Sequence, residues 1–394
     1  MDQLRIDDLA SPQFKANPYP FYSRLRAESP ISCTKLLRQP TWFVTRYRDV
    51  FPLLKDERLL KDWWPRTRWV HRLAGPITRN MLNQDGPDHI RLRTLVHKAF
   101  TPQLVERLRQ RVQTVCDELL NKLEESGELD LIAGYALPLP LTVISELLGI
   151  PPEIRGRLHV LSRSTFSATT IPGVLLSIPD QKRMIRNIRK LVAERRREPR
   201  DDLITALAQA EEAGDKLSEP ELVATIALLL VAGYETTVNL IGNGALALLQ
   251  HPDQLDRLRT EPGLAPSAVE EVLRYTSPLD TATQRFASED MTIDSVRIAK
   301  GDVVICVIGS ANHDETQFPS PETFDIGRQP NKHVAFGQGT HFCIGAPLAR
   351  LEGQVALTTL FNRFPNLRLA QSPDALRWRK SLMIRGLEEL PVAV

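Results

Sequence analysis

The run Phe336-Gly337-Gln338-Gly339-Thr340-His341-Phe342-Cys343-Ile344-Gly345 holds the residue of this chain best placed to do chemistry. A glycine-bearing loop delivers one cysteine to the start of an amphipathic helix, predicted over 346–361. Pro347 suits the first turn of that helix, where a missing N–H is not needed. A sulfur at a helix N-terminus feels the positive end of the dipole, and both the dipole and nearby N–H groups favour thiolate over thiol. A thiolate held this way can serve as an axial ligand that pushes electron density onto haem iron and favours O–O cleavage. Gly337 and Gly339 let the loop turn tightly, and Gly345 lets the helix backbone lie close to a flat macrocycle. Three other chemistries fit less well. A phosphate loop ends in Gly-Lys-Ser/Thr, which is not seen here. A dinucleotide fingerprint needs a third glycine where Phe342 stands. A cysteine hydrolase recruits its histidine through the fold, not through a neighbour such as His341.

A second group, Ala232-Gly233-Tyr234-Glu235-Thr236-Thr237, lies inside a long apolar helix predicted over 219–249. Gly in a helix interior is unfavourable by up to ~1 kcal/mol against Ala. A carboxylate and two hydroxyls in apolar surroundings are also unfavourable without partners. A solvent-facing polar turn is the plain alternative, but Val231, Leu240 and Ile241 leave little room for a wet face. The group instead fits a dioxygen pocket, with Gly233 loosening the helix, Thr236 donating a hydrogen bond to dioxygen and Glu235 relaying protons.

Residues 336–350 resemble the haem-binding signature of the cytochrome P-450 family: Phe, two Gly, His two before the Cys, Gly two after it, then Leu-Ala-Arg. About eight positions within fifteen are fixed, and the resemblance extends over the whole chain, as in the soluble bacterial members. It implies a mainly α fold with small β-sheets. Haem b would lie buried between a long distal helix and the proximal Cys343 loop and helix. It also implies that Glu235 and Thr236 are the acid–alcohol pair of the distal helix. Many relatives carry Asp in place of Glu235, a change of reach rather than of chemistry.

The resemblance assigns further residues. Glu271-Val272-Leu273-Arg274, on a helix predicted over 267–275, is structural and ties that helix to the segment ahead of the cysteine loop. By spacing alone Glu-x-x-Arg is uninformative, since Glu106/Arg109 and Glu194/Arg197 repeat it. His89 and Arg93, on one helical face at i, i+4, join Arg285 and His341 as the cations for the haem propionates, where an Arg fork suits a carboxylate. Arg91 points away from the His89 face. Phe336, Gly337 and Gly345 shape the cofactor cradle. His313 replaces an Arg common in the family, which puts a local salt bridge in doubt. The 294–295 turn lacks a common Gly.

The substrate end is less defined. The family pocket maps onto 61–80, 167–178, 226–237 and 278–283. It names Trp63, Trp64, Tyr234, Leu279, Thr281 and Ala282 as lining residues, a mainly apolar set. Arg66, Arg68, Arg72 and Arg79 near Trp69 would bind an acidic substrate group or simply snorkel at the surface.

The elements that position these groups follow from periodicity. Helical spacing dominates from about 88 to 275, with clear segments at 103–122 and 181–197. Strand-like pieces are expected at 42–47, 281–286, 291–293 and 303–307. With no repeat or linker, one domain over 1–394 is expected. The basic helix 181–200, ending in Arg195, Arg196 and Arg197, is either a solvated face or a surface for an acidic partner or membrane. The net charge of +2, with 42% hydrophobic and 25% charged residues, is too small to suggest nucleic-acid binding. No signal-like start is evident. The longest apolar run, near 224–233, is shorter than the ~20 residues of a membrane helix. A cytoplasmic protein without a membrane anchor is expected. Cysteines at 33, 116, 306 and 343 have no short-spaced pair, so free thiols and no zinc site are expected, with the first three buried and inert.

The expected activity is monooxygenation of an organic molecule with dioxygen. Two electrons would come from a ferredoxin or flavodoxin with its NAD(P)H-dependent reductase, docking where Arg91 and Lys98 meet an acidic carrier. A peroxide-driven peroxygenase, a non-enzymic haem carrier or sensor, and a haem-free helical interaction protein are the rivals.

Overall fold

The computed structural model describes residues 6–36, 39–61, 80–126, 130–156, 160, 171–212 and 215–394. It is 57% helical with small sheets. The chain forms two compact units, each from separate stretches. One comprises Met1–Leu59, Arg109–Leu139 and Thr236–Val394, the other Leu60–Leu108 and Pro140–Glu235.

The first unit carries a five-stranded sheet in the order Ile31–Leu36, Gln39–Val44, Val303–Cys306, Arg285–Ala287 and Leu59–Leu60. Val303–Cys306 is buried at every position, as its unbroken apolar sequence requires of a central strand. Beneath the sheet lies a core of Val44, Val50, Leu54, Ile298, Val304, Phe318 and Val334. Two strands fall off their expected places for local reasons. The strand predicted at 42–47 stops at Val44, because the Tyr47 amide donates to Asp314 at 2.7 Å and starts the helix Tyr47–Leu53. The strand predicted at 281–286 shrinks to Arg285–Ala287. The hairpin Met291–Ile293/Val296–Ile298 turns through Asp294 and Ser295, both at positive φ (43° and 68°), a conformation that favours Gly.

Helix Ala346–Arg363, which follows Cys343, packs against Arg109–Ser126, where Gln113 Nε2 donates to Thr359 Oγ1 at 3.1 Å. The helix predicted over 103–122 is two helices, Pro102–Arg107 and Arg109–Ser126. The Leu108 amide tightens onto the Val105 carbonyl at 3.0 Å and breaks the run.

In the second unit, Ile171–Arg197 carries an exposed basic face (Lys182, Arg183, Arg186, Arg189, Lys190, Arg196, Arg197). Arg195 is not part of it. It is buried, paired with Asp202 and bonded to the Gly149 carbonyl at 2.7 Å.

The long helix Glu219–Gln250 starts in a capping box, with Glu221 accepting from the Ser218 amide at 2.9 Å and its hydroxyl at 2.7 Å. At 32 residues, with a window hydropathy of 1.5, it is long and apolar enough to cross a membrane, but 78% of that window is buried in the protein. The apolar stretch is therefore longer than expected, and its neighbours cover it.

Candidate active site

Cys343 is exposed and stands three residues ahead of helix Ala346–Arg363. The loop that presents it is folded by its own backbone. The Cys343 amide donates to the Phe336 carbonyl at 2.9 Å, and Gly337 donates to Val334 at 2.9 Å. Gly337 and Gly339 sit at φ +71° and +72°, where a side chain is strained; a Cβ at Gly339 would also meet the Lys55 backbone at 3.1 Å. A Cβ at Gly345 would lie in van der Waals contact with the Cys343 sulfur, at 3.8 Å, so this position borders the thiol directly.

Behind the loop, Arg350 lies over the Phe336 ring at 4.6 Å and forks onto Glu270. His333 holds the same carboxylate at 3.1 Å. Burial alone would raise the Glu270 pKa, but the bonds from Arg350 and His333 outweigh it and hold it at about 2. Cys343 in turn raises the Arg350 pKa, behind the larger effect of Glu270. The loop is thus fixed by a partly buried charge cluster as well as by its backbone.

The residues 271–331 form a second cluster. Glu271 and Arg274 are fully buried and paired at 2.8 Å. Arg274 also donates to the carbonyls of Asn312, Pro321 and Thr323. Glu271 accepts from the Asp325 amide, Arg328 and Asn331, each at 3.1 Å. The pair is thus bonded on all sides to the segment that leads to the cysteine loop. His313 is buried here too. It bonds the Tyr275 carbonyl at 2.9 Å, faces Glu322 at 3.3 Å and stacks on Tyr19 at 3.8 Å. Burial lowers its pKa, so its contacts are those of a neutral ring.

Arg285 is buried, donates to the Leu54 carbonyl at 3.0 Å and helps lower the Asp56 pKa, whose main cause is the bond from Arg58. His341 is half-buried in the turn Gly339–His341. In the other unit, His89 is buried in helix Gly86–Ala99, with Nδ1 donating to the Met81 carbonyl at 2.7 Å and Nε2 on the opposite side of the ring. Arg93 follows one turn later, half-buried. Arg91 is engaged by Glu221 and is no longer an available docking cation, whereas Lys98 is exposed.

The long helix is buried over most of its length, yet Leu228, Ala232 and Thr236 break that pattern. They recur at i, i+4, i+8 as half-buried or exposed residues, with half-buried Gly233 beside them. One stripe of the helix therefore faces open space, apolar at Leu228 and narrow at Ala232 and Gly233. Glu235 is buried next to it. A Cβ at Gly233 would meet Ile144 at 2.9 Å, so the glycine also admits a neighbouring side chain. Tyr234, expected to line the pocket, is 1% exposed and lies two residues, about half a turn, from Ala232 on the open stripe.

Other lining assignments divide. Leu279 and Ala282 are half-buried, but Thr281 is buried and faces an internal cavity with Leu9, Tyr22 and Phe43. Trp63, Trp64, Trp69, Arg66, Arg68, Arg72 and Arg79 lie outside the described residues. Cys33 is exposed, not buried as expected, while Cys116 and Cys306 are buried; burial pushes the Cys116 thiol up to about 12.

Sequence reasoning missed Glu352. It is fully buried on helix Ala346–Arg363, and burial raises its pKa to about 8 against a smaller lowering from Thr237. Its place among Leu348, Leu351, Val355 and Ala356 on the inner face was the available signal.

The residues present fit a flat, anionic iron macrocycle. Within the unit of Cys343, the donor set is one accessible thiol on a glycine-bearing loop, with the buried or half-buried cations Arg285 and His341. Among the described residues no cluster of His, Cys, Asp and Glu could hold a bare metal ion.

Comparison with known proteins agrees. The model of the family "Cytochrome P450" matches residues 9–142 and 180–386. The polyketide biosynthesis cytochrome P450 PksS of Bacillus subtilis (strain 168) is 43% identical over 393 residues, 97% of each chain. Its solved structure superposes with a TM-score of 0.92 over 98% of both chains. The vitamin D(3) 25-hydroxylase of Pseudonocardia autotrophica is 44% identical over 98% of this chain and 96% of that one. The structure of P450BioI in complex with an acyl carrier protein ligated to hexadec-9Z-enoic acid has a TM-score of 0.91 at 39% identity. It covers 98% of this chain and 100% of that one.

Proposed function

The chain belongs to the cytochrome P450 family, and on that premise we propose that it is a haem-thiolate monooxygenase that hydroxylates or epoxidises a mainly apolar small organic substrate. The observation that carries this reading is the accessible Cys343 thiol at the head of helix Ala346–Arg363, in a loop locked by Gly337, Gly339 and the Glu270–Arg350–His333 cluster.

Bound haem b supplies dioxygen activation and accepts electrons one at a time. Cys343 is assigned as its sulfur ligand. Phe336, Gly337 and Gly345 shape the cradle, and His89, Arg93, Arg285 and His341 are assigned to its propionates. A buried or half-buried cation suits a carboxylate that leaves water, because the pair replaces lost hydration. Thr236, on the open stripe, holds a hydroxyl where a proton is needed. Glu235, buried one residue earlier, supplies protons to it. Glu271 and Arg274 keep their structural role.

The substrate class rests on chemistry that the relatives share. One relative is named for polyketide biosynthesis, another for vitamin D(3), and a third is solved with a sixteen-carbon acyl chain; the last two molecules have long apolar skeletons. Leu279, Ala282 and the Leu228–Ala232–Thr236 stripe would present a matching, mainly apolar wall. Electrons are assigned to a ferredoxin or flavodoxin with its NAD(P)H-dependent reductase in the cytoplasm, with Lys98 among the docking cations.

The test is turnover of hexadec-9Z-enoic acid with a ferredoxin, its reductase and NADPH under isotopically labelled dioxygen. One labelled oxygen atom in the product is expected. Product formed only with added hydrogen peroxide, and none from the electron chain, would replace this reading by the peroxygenase.

A further inference from the structure

The segment 278–282 is held on its inner side by a buried charge cluster that the family motifs do not include. The Asp280 carboxylate is 1% exposed and pairs with Lys15, itself fully buried on the N-terminal helix Pro12–Ala16. The Tyr22 hydroxyl, on helix Tyr19–Glu28, donates to the same oxygen at 2.7 Å. Lys15 Nζ also donates to the Leu382 carbonyl at 3.1 Å. Arg385 closes the arrangement, donating to the Lys15 carbonyl at 2.9 Å and to Thr276 at 2.7 Å. The other Asp280 oxygen, Oδ1, is buried without a hydrogen-bond partner among the described residues. It fills the space left by Gly309, where a Cβ would sit 2.4 Å from it.

The backbone around Asp280 is tied down as well. Its amide donates to Met383 at 2.7 Å and its carbonyl accepts from Gly309 at 3.0 Å. Leu279 bridges Ile384, and Ala282 donates to Cys306 at 2.8 Å. With Asp280 and Thr281 turned inward, Leu279 and Ala282 are left half-exposed. An ion pair in the interior is a poor way to add stability, because desolvating both charges offsets most of their attraction. It is a good way to fix register, since slipping the segment by one residue would leave a bare charge buried.

We propose that Lys15 and Tyr22 are positioning residues which, by clamping Asp280, set how far Leu279 and Ala282 project into the substrate pocket. The N-terminal helices thereby take part in substrate selection. This rests on the monooxygenase reading and on Leu279 and Ala282 facing substrate.

The experiment compares wild type, Tyr22→Phe, and the double variant Lys15→Met with Asp280→Asn, each loaded with haem. Imidazole and 4-phenylimidazole are titrated by absorbance. Both ligands bind through the same ring nitrogen, but only the second carries a phenyl group that reaches the pocket wall. The expected result is a change of about fivefold or more in the 4-phenylimidazole Kd, with the imidazole Kd holding within about twofold. Hydrogen exchange at the amides of 280–282 should speed up in parallel. Faster exchange or a lower Tm with an unchanged ratio of the two Kd values would overturn the proposal, because a purely structural role predicts that pattern. If the double variant does not fold, Tyr22→Phe alone decides, since it removes one hydroxyl and leaves the charge pair. Wild type that takes up no haem would sink the underlying reading and this proposal together; loaded protein with unmoved ratios sinks the proposal alone.

Discussion

Arg350 donates two hydrogen bonds to Glu270, at 2.7 and 2.8 Å, and so ties the helix of Cys343 to the helix Ala265–Tyr275. Because the folded-state pKa of Glu270 is depressed from 4.5 to about 2, its contribution is complete above pH 4.5 and is lost as pH falls toward 2. Allowing for solvent screening of this quarter-exposed carboxylate, about 2 kcal/mol is at stake. Glu270→Gln should lower urea-unfolding stability at pH 7 and flatten its acid limb. An acid limb identical to wild type would show that Glu270 contributes nothing.

Glu352 acts with the opposite sign. Its folded-state pKa is raised from 4.5 to about 8, so between those values the native protein holds a proton that the unfolded chain has released. Stability should therefore fall as pH rises through that window, at up to roughly 1.4 kcal/mol per unit, and level off above it. Glu352→Gln, neutral at every pH, should remove that slope. Calorimetric Tm values across the window check it, and an unchanged slope would contradict it.

Breaking the Glu271–Arg274 pair should be far more damaging than breaking a surface pair. Arg274→Ala leaves the fully buried Glu271 carboxylate with Arg328 as its remaining cation and the Asn312 and Pro321 carbonyls without their donor, a loss of about 3 kcal/mol. Arg274→Lys should rescue little, because one ammonium cannot replace the planar fork. Soluble yield and urea midpoints measure both variants. A stable Arg274→Ala protein would contradict this account.

Thr236→Ala should spare folding, since the side chain is half-exposed on the open stripe of the long helix. It should cut product formed per NADPH by on the order of tenfold or more, with hydrogen peroxide released instead. Equal product per NADPH in wild type and variant would remove Thr236 from the mechanism.

The residues that could be recognised early are those whose chemistry is local. The Cys343 loop declares itself because two left-handed glycines, a proline in the first helical turn and the thiol all act within about ten residues. The long helix was legible from its apolar spacing, and its capping box marks the start. Glu271 and Arg274 illustrate the limit. Their spacing recurs on exposed helices, and only tertiary partners as distant as Asn331 reveal a buried network. Lys15 and Asp280 are 265 residues apart, so no local pattern connects them. Tyr234 and Thr281 show a simpler limit: membership of a lining segment does not say which face of it turns inward, and both side chains are buried in the structure.

The most direct measurement is the absorbance spectrum of the reduced, carbon-monoxide-bound protein, for wild type and Cys343→Ala. The strongly red-shifted Soret band of thiolate-ligated haem should appear in wild type and vanish in the variant. A wild-type protein that stays colourless after haem supplementation, or a variant that keeps the red-shifted band, would contradict the assignment of Cys343 as the iron ligand.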